Sequence, residues 1–338
     1  MDANPARALL ALCLAACGGA QGSHGSAPRA PARPTHHVTA VAWSPDGSTI
    51  AAGSTLGTLV LWDARSGAPR ATLGPHSGPI TAIAWSTDAG AIALAATDEV
   101  TILDARTGAV LRTLAGAGSD VLCVAWGPDG ARIATGHRDE VVRVWDWATG
   151  EALVEMGPVE PASGRLRSPI VGAMNVVSSV AFSPDASMLA VASRGRVRLR
   201  DSRTGEVRAT LEGHTSRIES VAWSLDGARI VSASLDGSVR LWDAPSGGHR
   251  ASLQPGAPAT SVSFSPDSSR VVSGADDGTA TIWDTGSGVA LRVIRADPHG
   301  VSCVAFSPDG ASVATGGWRP GVTVWDATSG ARRRELTS

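Results

Sequence analysis

Residues 214–254 read HTSRIESVAWSLDGARIVSASLDGSVRLWDAPSGGHRASLQ and contain four short β-rich runs separated by turns. The runs are IESVAW, ARIVSAS, SVRLWD and HRASLQ, and the turns between them contain SLDG, LDG and PSGG. β-Branched and aromatic residues favour strands, whereas Gly, Pro and Asp favour turns. The segment therefore predicts one small sheet of four antiparallel strands joined by tight connections.

The pattern of residues 214–254 recurs seven times along the chain. One landmark is a Ser-Pro-Asp-like turn, whose aspartates are Asp46, Asp88, Asp129, Asp185, Asp226, Asp267 and Asp309. A second landmark, Asp-x-x-Ser/Thr-Gly, begins at Asp63, Asp104, Asp146, Asp201, Asp243, Asp284 and Asp326. Four strands in every ~40–45 residues are typical of propeller blades. We therefore predict an all-β fold, a seven-bladed β-propeller with four antiparallel strands per blade.

The third run of five repeats ends in Trp-Asp, whereas repeats two and four have Leu103 and Arg200 in place of the Trp. The tryptophans are Trp62, Trp145, Trp242, Trp283 and Trp325. Over residues 36–338 the chain resembles the WD-repeat (Trp-Asp repeat, beta-transducin-like) family of β-propellers. The resemblance implies a scaffold that binds proteins and has no catalytic site.

The same resemblance implies a structural hydrogen-bond set in each complete repeat, made by a His, a Ser or Thr, an Asp and the Trp. Repeat five carries the full set, and repeats three and six carry parts of it. The full set is His214, Ser232, Asp236 and Trp242. The partial sets are Thr135, Asp139 and Trp145, and Ser273, Asp277 and Trp283. We attribute the recurrence of His before the first strand, as at His37, His76 and His299, to this set.

The predicted blades span about 36–74, 75–116, 117–158, 175–212, 213–254, 255–295 and 296–338, with an insertion at about 157–174. Residues 331–337 already match the fourth run of the other repeats. Pro28, Pro31 and Pro34 make the segment upstream of the first blade a poor strand. The ring is therefore predicted to close without exchanging a strand between its ends.

The amino terminus differs from the repeats. Residues 1–17 carry Arg7 and a short apolar run ending in LAACG, which resembles the lipobox of bacterial lipoproteins and implies lipidation at Cys17. Residues 18–35 are rich in Gly, Ser, Ala and Pro, as in a flexible tether. We predict a lipid anchor on the periplasmic or outer surface of a bacterial cell envelope. An unlipidated signal peptide and a mis-called start before a cytoplasmic regulatory propeller are the alternatives.

Composition and motifs argue against several classes of function. The net charge is −2, so no global field favours binding to nucleic acid. No catalytic group, metal-ligand spacing or cofactor motif is visible, and we predict none of these. Cys123 and Cys303 occupy one repeat position that is otherwise Ala or Ser, which favours buried thiols over a disulfide or metal pair.

We call the strands of a blade a to d from the ring axis outward. Antiparallel strands place the d–a and b–c connections on one face of the ring and the a–b and c–d turns on the other. The first face is varied and the second is monotonous, so we predict that a monomeric propeller binds a protein or peptide partner through the d–a/b–c face. The candidate contact residues are Trp318, Arg319, Arg165, Arg167, Arg194 and Arg196.

Some of these candidates have a second interpretation. Trp318 is either an anchor for the partner or packing over the neighbouring blade. Arg196, Arg198 and Arg200 share one face of a strand, either as a patch that binds an anion or an acidic partner, or as ordinary surface arginines of a degenerate blade. Arg194 is taken as an ordinary surface residue, whose replacement costs under ~0.5 kcal/mol. A rival function, ligand binding or catalysis in the central channel, is disfavoured because the inner strands offer only Ala, Ser, Cys and Val.

Overall fold

A computed structural model describes residues 37–115, 118–158 and 175–337. All regular secondary structure in this part of the chain is β-strand, so it contains no helix that could span a membrane. The predictions for Cys17, Arg165 and Arg167 concern residues outside the described ranges, as do the tether and most of the insertion.

Twenty-eight strands are described, four to a blade. The a strands are β1 (Val38–Trp43), β5 (Ile80–Trp85), β9 (Val121–Trp126), β13 (Val177–Phe182), β17 (Ile218–Trp223), β21 (Ala259–Phe264) and β25 (Val301–Phe306). The b strands are β2 (Thr49–Ser54), β6 (Ala91–Ala96), β10 (Arg132–His137), β14 (Met188–Ser193), β18 (Arg229–Ser234), β22 (Arg270–Ala275) and β26 (Ser312–Gly317). The c strands are β3 (Leu59–Asp63), β7 (Glu99–Asp104), β11 (Val142–Asp146), β15 (Arg196–Asp201), β19 (Val239–Asp243), β23 (Thr279–Asp284) and β27 (Val322–Asp326). The d strands are β4 (Pro69–Leu73), β8 (Val110–Leu114), β12 (Ala152–Met156), β16 (Val207–Leu211), β20 (His249–Leu253), β24 (Ala290–Arg295) and β28 (Arg332–Leu336).

Each set of four consecutive strands forms its own antiparallel sheet in the order a-b-c-d. Every a strand packs against the a strands of both neighbouring blades, and β25 of blade seven packs against β1 of blade one. The prediction of a seven-bladed β-propeller with four antiparallel strands per blade is confirmed. Blade seven takes its four strands from one continuous segment, so among the described residues the ring closes without strand exchange.

The repeated turns follow from side-chain hydrogen bonds to the backbone. In blade one, Asp46 accepts a bond from the hydroxyl of Ser44 at 2.5 Å and one from the N–H of Ser48 at 2.9 Å. Asp63 likewise accepts the N–H of Ser66 at 2.7 Å, and Gly67 takes the positive φ of 78° that completes the turn. The N–H of Ser66, with help from Arg70, holds the pKa of Asp63 well below its usual range. These bonds explain why both sequence landmarks contain Asp.

The core lies between blades rather than within them, because each sheet buries its two faces against its neighbours. Trp242 of blade five is 1% exposed and packs with Leu199 and Leu211 of blade four. Trp62 of blade one packs with Val322 and Leu336 of blade seven in the same way. Strands buried on both faces need no polar alternation, which accounts for fully buried strands such as β6.

Candidate functional site

The four residues of the repeat-five set form one continuous hydrogen-bond chain. Asp236 Oδ2 lies 2.8 Å from His214 Nδ1, and His214 Nε2 lies 2.8 Å from Ser232 Oγ. The indole N–H of Trp242 donates to the same Ser232 Oγ at 2.9 Å. A neutral His214 that donates from Nδ1 to the carboxylate accepts the Ser232 hydroxyl at Nε2. The chain therefore ties the d–a loop, strand β18, the b–c turn and strand β19 together.

The electrostatics of the set favour a fixed carboxylate. Burial opposes ionisation of Asp236, but hydrogen bonds from His214, Ser238 and the N–H of Thr215 outweigh it. The pKa of Asp236 is consequently held well below its usual range. An ionised Asp236 keeps the imidazole of His214 in one orientation.

The order Asp236–His214–Ser232 is also the order of groups in a serine nucleophile with its base. A nucleophile must reach its substrate, however, and Ser232 is 0% exposed while His214 is 5% exposed. Both ends of the Ser232 hydroxyl are engaged, since it bonds to the imidazole and accepts the Trp242 N–H. The arrangement is structural and offers no surface to a substrate.

Blade three contains a variant of this hydrogen-bond set, and the sequence did not predict the variant. The N–H of Trp145 donates to Thr135 Oγ1 at 2.9 Å, and Thr135 Oγ1 lies 2.7 Å from Nε2 of His137. His137 ends strand β10, so the imidazole comes from strand b and not from the d–a loop. The assignment of Asp139 to this set was wrong, because its Oδ1 accepts the N–H of Val141 and its Oδ2 faces Arg143 at 3.9 Å, not the imidazole.

The remaining blades carry less of the set. Trp283 donates to Ser273 and Trp325 donates to Thr315, each at 2.9 Å, while Asp277 bonds only within its own turn. The attribution of His76 to such a set was wrong, because strands b and c of blade two offer Leu94 and Leu103 instead. His37 and His299 lie closer to their a strands than His214 does to β17, and His37 stacks on a tryptophan instead.

The buried indole N–H of Trp62 in blade one leads to a prediction about stability. Its Trp62 N–H is buried without an acceptor among the described residues, and Ala52 occupies the strand-b position of Ser232. Ala52→Ser should supply the missing oxygen and raise the free energy of unfolding by about 0.5–1.5 kcal/mol in a denaturant titration. Ala51→Ser, the adjacent and equally buried control, should destabilise instead. A loss of stability in both variants would contradict this assignment.

On the d–a/b–c face, His37 links the b–c turn of blade seven to the b–c turn of blade one. We call Leu56, Trp318, Arg319 and Pro320 the rim patch; Leu56 is 54% exposed, and Arg319 and Pro320 are exposed. The ring of Trp318 stacks on His37 of blade one with centroids 4.5 Å apart, and the backbone of His37 bonds to Thr55, beside Leu56.

The carboxylate of Asp297, in the d–a connection before β25, fixes the turn that carries Trp318. Asp297 Oδ2 accepts the N–H of Arg319 at 2.8 Å, and its Oδ1 accepts the N–H of His299 at 2.8 Å. Trp318 is half-buried because it packs over the neighbouring blade, and its outer part remains at the surface. The position of Trp318 thus fits the packing interpretation and leaves a partly exposed ring for a partner.

Two of the candidate arginines of blade four, Arg194 and Arg196, form ion pairs that the sequence did not indicate. Arg194 forms a two-point ion pair with Glu140 of blade three, at 2.9 Å from Nε to Oε1 and 2.6 Å from Nη2 to Oε2. Both residues have positive φ, and the side chain of Glu140 is 7% exposed. The prediction that Arg194 is an ordinary surface residue was therefore wrong, because its loss would leave a buried carboxylate without its charge partner. Arg196 pairs with the exposed Glu212 at 3.0 Å.

The central channel is more polar than the sequence indicated. Its cavity of about 300 Å³ is lined by hydroxyls of the a strands, with Arg217 and Glu219 among the residues on the wall. Arg217 and Glu219 form an ion pair at 3.1 Å with both side chains largely buried. The expectation of only Ala, Ser, Cys and Val was thus wrong, because threonines of blades one, two and six also line the channel and blade five adds Glu219, which follows Ile218 on its strand.

The hydroxyls that line the channel form hydrogen bonds between adjacent blades. Thr39, Thr81, Ser178 and Thr260 each donate to a backbone carbonyl in the a strand of the next blade, at 2.5–2.9 Å. One position further along, the hydroxyls of Ser179, Ser220 and Ser261 each accept a backbone N–H of the next blade at 3.1–3.3 Å. The serines at this second position therefore join adjacent blades as well as fill a narrow space.

The two described cysteines, Cys123 and Cys303, are buried thiols outside any disulfide. Burial raises the pKa of Cys123 to about 12, so its thiol stays protonated at neutral pH. Within residues 37–115, 118–158 and 175–337, no group of three or more His, Cys, Asp or Glu residues is placed to hold a metal ion.

The chain was compared with known families. The family described as "WD domain, G-beta repeat" matches residues 32–63, 108–146, 168–201, 205–243, 248–284 and 288–326, which is more than half of the chain. The six matched segments exclude most of blade two, the blade with Leu103 in place of the Trp.

Several curated proteins are similar in sequence to parts of the chain. The Target of rapamycin complex subunit wat1 of Schizosaccharomyces pombe is 37% identical over 26% of this chain and 29% of its own length. The SIR4-interacting protein SIF2 of Saccharomyces cerevisiae is 27% identical over 62% of this chain and 39% of its own. The Periodic tryptophan protein 2 homolog of Caenorhabditis elegans is 40% identical over 20% of this chain and 8% of its own. The chain thus spans less than half the length of these relatives.

Proposed function

The chain belongs to the WD-repeat family, and from that premise we propose that it is a non-enzymatic scaffold whose protein or peptide partner binds the d–a/b–c face. WD-repeat propellers are typically protein-interaction scaffolds, and two relatives are named for a complex or an interaction with another protein. In the proposal the partner contacts the rim patch and the neighbouring b–c turns of a monomeric propeller.

The observation that carries the proposal is the difference between the two faces. Six of the seven a–b turns share a Ser-to-Asp hydrogen bond like that of Ser44 to Asp46. All seven c–d turns share a second bond, like that of the Ser66 N–H to Asp63. The b–c turns differ in every blade and include exposed Leu56 and the half-buried Trp318. Ring closure requires uniform turns but does not require the b–c turns to differ from blade to blade, so this variation fits binding. Measuring the affinity of a captured partner for variants of each face tests the proposal.

The chemistry of the channel favours the face over the channel interior. Arg217 and Glu219 neutralise each other, and four of the inner hydroxyls already donate to the next blade. A ligand inside the channel would compete with these bonds. The proposal accordingly places binding outside the channel, with the channel mouth as the inner border of the contact surface.

We also propose that the propeller is tethered to a bacterial envelope membrane through lipid on Cys17, because residues 1–17 carry an apolar run ending in LAAC and residues 18–35 resemble a tether. Cys17→Ala should move the protein from the membrane fraction to the soluble fraction and remove an acyl mass from the mature N-terminus. The control Cys13→Ala should leave both unchanged. A cytoplasmic protein with an unmodified Cys17 would contradict the anchor and leave the scaffold proposal standing.

A further inference from the structure

Strand β15 of blade four places three arginines on one face of a sheet. Residues two apart on a strand share a face, so Arg196, Arg198 and Arg200 point the same way. Arg198 and Arg200 are 7% and 8% exposed, whereas the side chain of Arg196 is 29% exposed at the b–c end of the strand. Arg194 lies in the preceding turn. Four arginines within seven residues thus run from the d–a/b–c face into the interior.

The negative charge near this cluster does not balance it. Glu140 pairs with Arg194, and Glu212 pairs with Arg196. Arg200 donates to two backbone carbonyls, Gly205 O at 3.0 Å and Gly157 O at 3.1 Å. Arg198 donates to the hydroxyl of Ser193 at 2.8 Å, and no carboxylate of the described residues lies within ion-pair distance of it. Two of the four guanidinium charges therefore lack a counterion there.

The equivalent arginines of two other blades show what Arg198 lacks. Arg143 in blade three lies 3.2 Å from Glu155 and 3.9 Å from Asp139. Arg240 in blade five has its guanidinium 5.9 Å from the centre of the Trp242 ring, a cation–π contact. Blade four has Arg200 where blade five has Trp242, and it places no acidic residue opposite Arg198. Arg198 alone among the three is buried without a carboxylate or an aromatic face.

Arg198 cannot remove its unbalanced charge by losing a proton. Burial and the charges of Arg196, Arg194 and Arg200 lower the pKa of Arg198, yet a guanidinium stays protonated at neutral pH. A buried charge is normally paired. An anion from outside the described part of the chain would balance the charge of Arg198.

We propose that the b–c end of strand β15 is an oxyanion site, in which Arg196 and Arg198 bind a phosphate-type group. Two guanidinium groups on one strand face offer several N–H donors to such an oxyanion, which is the geometry in which arginine is preferred over lysine. The group is either free phosphate or a phosphoryl group on a macromolecular partner. The site needs no protein partner, so it stands or falls independently of the scaffold function.

Thermal unfolding with inorganic phosphate tests the site. In sodium phosphate, compared with sodium chloride of equal ionic strength, the Tm of the full chain should rise saturably by about 2–5 °C. Arg198→Met should abolish that rise without lowering the Tm in chloride, because it removes an uncompensated buried charge. Arg240→Met, the control at the equivalent position of blade five, should keep the full phosphate response.

A wild-type protein without a saturable phosphate response, or an equal response in Arg198→Met, overturns the proposal. If Arg198→Met does not fold, Arg196→Gln at the accessible end of the site must reduce the phosphate response at least tenfold in apparent affinity, and an unchanged affinity overturns the proposal too. The source of the group follows from competition with a captured partner. Phosphate weakens partner binding to the wild type if the partner carries the group, and leaves it unchanged if the ligand is the free ion.

Discussion

Ser232→Ala is expected to lower the free energy of unfolding by about 2–4 kcal/mol, which is large for the loss of one oxygen atom. The Ser232 hydroxyl bonds to both His214 and Trp242, and all three residues are almost fully buried. Removing the hydroxyl leaves two buried polar groups unsatisfied, and each such group costs about 1–3 kcal/mol. A denaturant titration followed by circular dichroism measures the loss.

Ser273→Ala in blade six is the matched control for Ser232→Ala. Ser273 is 1% exposed and accepts the N–H of Trp283, but it has no imidazole partner. Its replacement should therefore cost about half as much, roughly 1–2 kcal/mol. Equal losses at Ser232 and Ser273 would show that the imidazole of His214 adds nothing to the set.

The repeats could be predicted from sequence because their causes are local. A turn Asp such as Asp63 bonds to a backbone group three residues away, and the landmark aspartates recur every 41–42 residues except across the insertion. The complete set of blade five could also be placed, since the resemblance names each of its four positions. Seven in-register copies of such local signals predict the ring almost without ambiguity.

Two contacts that the sequence analysis missed have different causes, one within a strand and one between blades. His137 takes the place of a d–a loop histidine because it lies two residues after Thr135 on strand β10, so the two side chains share one face. Glu140 and Arg194 are 54 residues apart and pair only because blades three and four are neighbours. A register comparison of acidic and basic residues in adjacent b–c turns could have found the Glu140–Arg194 pair.

The second prediction with a large expected effect concerns the affinity for the partner. Leu56 and Leu225 are the same residue type, are 54% and 66% exposed, and lie on opposite faces of the ring. Leu56 belongs to the b–c turn of blade one, within the rim patch, whereas Leu225 belongs to the a–b turn of blade five. A charge placed within a partner interface costs about 2 kcal/mol or more, a loss of roughly thirtyfold in affinity. Neither side chain is part of the core, so both variants should fold normally.

The most direct measurement is the Kd of a captured partner for the wild type, Leu56→Arg and Leu225→Arg, determined side by side by calorimetry. Binding through the d–a/b–c face predicts roughly thirtyfold weaker binding for Leu56→Arg and an unchanged Kd for Leu225→Arg. A loss of affinity confined to Leu225→Arg would contradict the account and place the partner on the face with the uniform turns.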